Sequence, residues 1–83
     1  MELDRTEGIL HIATGDYQLI LDLVHLFNKV YKENIVYKES IDIDGVMFSY
    51  IDVSTISIDK IFLFGSMVGS KIRELRDKGE IDW

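Results

Sequence analysis

The sequence predicts one α+β domain, a two-layer sandwich in which an antiparallel sheet carries two helices on one face. Three observations predict it. Short apolar segments alternate with long amphipathic ones in the order β-α-β-β-α. An Asp44-Gly45 pair separates two strand-like runs. Hydrophobic residues make up 47 % of the chain, enough for a core and too many for a disordered segment.

The elements follow in order. Residues 8–13, GILHIA, read as a strand ended by Thr14-Gly15. In residues 16–34 the polar side chains Gln18, Asp22, His25, Lys29 and Lys32 recur at helical spacing. Ile20, Leu23, Val24, Phe27, Val30 and Tyr31 fill the other faces, which predicts an amphipathic helix of about five turns. Asp16 suits its N-cap and Asn34 its end.

Residues 35–54 predict a hairpin. Asp44-Gly45 favours a two-residue type I′ turn, in which both positions need positive φ. The turn sets the register, so that Ile43 faces Val46, Ile41 faces Phe48 and Glu39 faces Tyr50. One face then carries Ile41, Ile43, Val46, Phe48 and Tyr50, and is expected to be the core. The other carries Lys38, Ser40, Asp42, Met47, Ser49 and Ile51. From Ser57 to about Lys78 the period is helical again, with Ser57 as cap, Asp59 in the first turn, bases in the last turns and Gly79 just beyond. Residues 80–83 are long enough for a very short fourth strand. The arrangement resembles a ferredoxin-like split βαβ fold with its last strand short or missing, and implies that residues 8–13 and 46–53 form the central strands.

Eighty-three residues leave room for one core spanning 1–83. A chain this short buries only roughly 60–65 % of its unfolded surface, so it stands near the limit of stability without a partner. It has no cysteine, so neither disulfides nor thiolate-held metals contribute. Fifteen acids against nine bases give a net charge of −6, which disfavours nucleic-acid backbones and anionic membranes. A basic protein partner would be attracted; solubility alone also accounts for the charge. With no basic, apolar leader and no apolar run near the ~20 residues that span a bilayer, a cytoplasmic protein is expected.

Candidate chemistry is sparse. Gly65-Ser66-Met67-Val68-Gly69-Ser70-Lys71 has the wrong spacing and setting for a phosphate-binding loop. Gly65 and Gly69, one helical turn apart, instead predict close helix packing, either on this chain's own sheet and first helix or on a second subunit. Asp42-Ile43-Asp44-Gly45 opens like a calcium loop, but Val53 stands where the bidentate glutamate is required, so no metal or cofactor is expected. His25 falls on the polar side of the first helix. If Leu10 and Ile12 face the core, Ile9, His11 and Ala13 face the opposite side, next to Met47, Ser49 and Ile51.

These readings predict a non-enzymatic protein-interaction module of regulator or inhibitor type, self-associating or bound to another protein. Its surface would be the open sheet face and the acidic hairpin, formed by Ile9, His11, Lys38, Ser40, Asp42, Met47, Ser49 and Ile51. Glu39, Asp42, Asp44 and Asp52 give the hairpin its charge, with Lys38 its one base. The alternative is a small-molecule-sensing domain with its ligand at a dimer interface, and a third reading is a small enzyme using His11 as acid, base or ligand. From Asp44-Gly45 through Leu63-Phe64-Gly65 to Ile72-Arg73 the chain is faintly similar to the small acidic phage proteins that inhibit uracil-DNA glycosylase. That stretch is under half the chain, and Lys60-Ile61 stands where that resemblance calls for a DNA-mimicking acid, so no family is assigned.

Overall fold

The computed structural model describes residues 2–4 and 7–81. It contains β1 (Glu2–Asp4), β2 (Ile9–Thr14), α1 (Tyr17–Tyr31), β3 (Val36–Ile43), β4 (Val46–Asp52) and α2 (Ile58–Asp77). The strands form one antiparallel sheet in the order β1-β2-β4-β3. The α+β class and the central places of β2 and β4 agree with the sequence reading.

The position beside β2 is filled from the other end of the chain. Residues 80–83 offer at most a very short or missing fourth strand in the sequence reading; β1 occupies that edge, with Leu3 opposite Leu10. Glu80 is instead tied into the end of α2. The Gly79 N–H donates to the Arg76 carbonyl and the Glu80 N–H to that of Leu75, with Gly79 at φ +74°. That pairing closes a helix and sends the chain away from it. Asp82 and Trp83 lie outside the described residues.

Local chemistry explains the other boundaries. The Asp16 carboxylate accepts from the Gln18 N–H and starts α1. The helix ends at Lys32, in the left-handed region at φ +54°, rather than at Asn34. Asn28 then joins helix to sheet. Its amide donates to the Ile35 carbonyl while its side-chain oxygen accepts from the Ile35 N–H, at 2.9 and 3.0 Å. The Asp44-Gly45 turn has φ +52° and +83°, as a type I′ turn requires. Asp42 braces it by accepting from the Gly45 N–H.

Both helices lie over one side of the sheet. Leu10, Ile12, Ile35, Ile51 and Val53 from the sheet side meet Ile20, Leu23, Val24 and Phe27 of α1 and Ile61, Phe64 and Val68 of α2. The rings of Phe27 and Phe64 meet edge to face, 5.4 Å between centroids.

The expected face assignment of the hairpin is reversed. Its register is as expected, but Ile51 and Ser49 are fully buried beneath the helices, while Ile41, Ile43 and Val46 are exposed on the bare side. Pairing with β2 decides this. Leu10 stands opposite Ile51 and Ile12 opposite Ser49, so the side chains flanking Leu10 and Ile12 must be those of the covered face. A bulge between Tyr37 and Glu39 shifts the phase of β3. Before it, Ile35 and Tyr37 point to the core side; beyond it, Ile41 and Ile43 point away.

Candidate functional site

The bare face of the sheet is assembled from all four strands, with Glu2 and Asp4 of β1 opposite His11 and Ile9. Ile9, His11 and Ala13 of β2 stand opposite Asp52, Tyr50 and Phe48 of β4, which stand in turn next to Val36, Glu39 and Ile41 of β3. Ile43 and Val46 continue the apolar row to the hairpin turn, both close to half exposed. Side chains alternate across a strand, so every residue in this row is presented by the same pleat that buries its neighbours.

A shallow depression of about 290 Å³ lies within this face. Its walls are Ile9, Ile41 and the ring pair His11–Tyr50, and Glu7, Lys38 and Glu39 stand around it. At the base of the hairpin the Ser54 hydroxyl, at 2.6 Å, and the Ser54 N–H, at 2.9 Å, both donate to one oxygen of Asp52. These two bonds hold the Asp52 carboxyl below its ordinary value, and the Lys38 ammonium adds to the effect.

The expected contact residues divide between the two sides. Ile9, His11 and Lys38 belong to the bare face. Ser40, Asp42, Met47, Ser49 and Ile51 belong to the other side, because the face assignment is inverted. Ser49 is wholly enclosed, and its hydroxyl and that of Ser40 both meet the Tyr37 hydroxyl. His11 has Tyr50 beside it, not Met47, Ser49 or Ile51. The residues that the sequence reading placed in the core, Ile41, Ile43, Val46, Phe48 and Tyr50, are the ones that make the bare face apolar. Placing Leu10 directly opposite Ile51 would have revealed this, and that pairing is long-range.

Within this chain Gly69 makes no close helix contact, so of the two packings expected at the helix glycines the internal one is absent there. A methyl group added there would meet nothing within 4 Å, and Gly65 is half-buried. Among the described residues no three histidine, aspartate or glutamate side chains converge to hold a metal ion, and no helix is long and apolar enough to cross a membrane. No protein-family model matches the chain, and neither a curated protein nor a solved structure matches it.

Proposed function

We propose that the protein is a non-enzymatic protein-interaction module of regulator or inhibitor type, which self-associates by packing the bare face of its sheet against that of a second copy. The apolar row running from Ile9 through Phe48 and Tyr50 to Ile41, Ile43 and Val46 on an uncovered sheet supports this reading. Soluble monomers rarely leave a contiguous apolar surface of this kind open. Two such faces, packed about 10 Å apart, would bury the row as the core of a sheet-on-sheet interface. The acids at the hairpin border the row and would orient a partner. The split βαβ order supports a ferredoxin-like arrangement whose fourth strand comes from the N-terminal side.

Sedimentation across a concentration series tests the proposal. The wild type should associate, and Phe48→Asp, at the centre of the bare face, should abolish face association while leaving the circular dichroism spectrum unchanged. A wild type that stays monomeric at high concentration, or face association unaffected by Phe48→Asp, overturns it.

A further inference from the structure

Charge is unevenly distributed over the bare face. Residues directly opposite one another in an antiparallel sheet share a face, so the pairings arrange it in transverse rows. One row runs Glu2, His11, Tyr50, Glu39 across all four strands, and the next runs Asp4, Ile9, Asp52, Val36. Towards the hairpin turn the rows hold Ala13, Phe48 and Ile41, then Val46 and Ile43. With Glu7 beside the depression, five acids frame one end of the apolar row and both of its flanks. Lys38 is the one base there among the described residues. The two bonds from Ser54 favour the ionised form of Asp52.

We propose that this face takes a basic amphipathic helix of another protein, which displaces the second copy of the chain. The inference rests on the reading of the bare face as the interaction surface and adds the chemistry of the partner. Two copies bury their apolar rows but set five acids against five, which opposes their association. A helix with lysines or arginines along both flanks of its apolar stripe matches the row and the acids together. The dimensions agree. Strands about 4.8 Å apart separate Glu2 from Glu39 by roughly 14 Å, which spans a helix ~10 Å across with its bases reaching down on either side. The seven residues of β4 extend about 20 Å, the length of about 14 helical residues. One large apolar side chain of the stripe enters the depression between Ile9, Ile41 and the His11–Tyr50 pair.

The probe is a fluorescent synthetic helix of about 14 residues, with leucines at i, i+3, i+4 and i+7 and lysines on both flanks. Its binding is read by anisotropy at about 0.15 M salt. The wild type should bind it, and excess peptide should lower the sedimenting mass of the self-associated protein to one copy plus peptide. Glu2→Lys with Glu39→Lys, both exposed, should weaken binding about tenfold or more. The same pair should leave self-association intact, because it removes like charge from both facing copies. Asp22→Lys with Asp77→Lys, exposed on the helices, changes net charge equally and should weaken binding less than about threefold. A peptide with glutamine in place of each leucine should not bind. Absence of binding, equal loss in the two charge-reversed pairs, undiminished binding of the glutamine peptide, or a self-associated mass that excess peptide leaves unchanged overturns the inference. Sedimentation of the protein without peptide tests self-association by itself, so each reading can fail without the other.

Discussion

The rings of His11 and Tyr50 meet edge to face on the bare side of the sheet, 4.5 Å between centroids and at 88°. They come from adjacent central strands and stand directly opposite one another. Such a pair contributes about 0.5–1.5 kcal/mol beyond the area it buries. His11→Ala should therefore lower stability in urea titration by this pair energy of about 0.5–1.5 kcal/mol in addition to the area the imidazole buries. Its larger effect should be on association, measured by sedimentation, because it removes the wall of the depression.

Two β4 substitutions separate the faces. Ile51 is fully buried against Leu10 and beneath the helices, so Ile51→Asp would put an unpaired carboxylate into the core. A cost above about 4 kcal/mol approaches the whole stability expected of a domain this size, and the variant should be unfolded by circular dichroism. Phe48→Asp, on the opposite pleat, should keep its fold and lose only face association.

Gly8 closes the β1–β2 connection at φ +69°, with its N–H donating to the Asp4 carbonyl and its carbonyl accepting from the Val53 N–H. An added Cβ would lie 2.7 Å from the Ser54 Cβ and 2.9 Å from its Cα. Gly8→Ala combines left-handed strain with a backbone clash, and should cost about 2–3 kcal/mol or more. A denaturant midpoint within error of the wild type would contradict this.

Gly69 gives the opposite outcome. It is exposed inside α2 with open space around it, so Gly69→Ala should gain about 1 kcal/mol from helix propensity and raise the melting temperature. Loss of association in that variant would show that the glycine meets another chain.

Asp52 makes stability depend on pH. Its carboxyl is held below its ordinary value of 3.8, first by the Ser54 hydroxyl and then by the Ser54 N–H. A depressed carboxyl stabilises the fold fully above its unfolded value, and that contribution is lost as pH falls through the folded one. Ser54→Ala should cost about 1 kcal/mol at neutral pH, after allowance for solvent screening. The gap to wild type should narrow as pH falls below 3.8 in acid titrations followed by circular dichroism.

Local signals carried most of the fold. The caps Asp16 and Ser57, the Asp44-Gly45 turn with its register, and Gly79 beyond α2 each depend on residues a few positions apart, and each forms as read. Three features depend on distant partners and were not legible. Glu2–Asp4 is too short to show an alternating pattern, and becomes a strand because β2 offers it an edge. Asn28 fixes Ile35 from seven residues away. The side of the hairpin that is buried depends on where Ile51 lands relative to Leu10. For the candidate site, Ile9 and His11 were placed on the correct side because their own strand had been phased correctly. Lys38 reached that side through the bulge.

The bulge at Lys38 also constrains how the chain can change length. It lets Ile35 and Tyr37 enter the core while Ile41 and Ile43, further along the same strand, point away from it. Deleting residue 38 would restore strict alternation and force one of these pairs onto the wrong side. For the fold, position 38 contributes spacing more than side-chain chemistry: many residues could stand there, but the position itself cannot be removed.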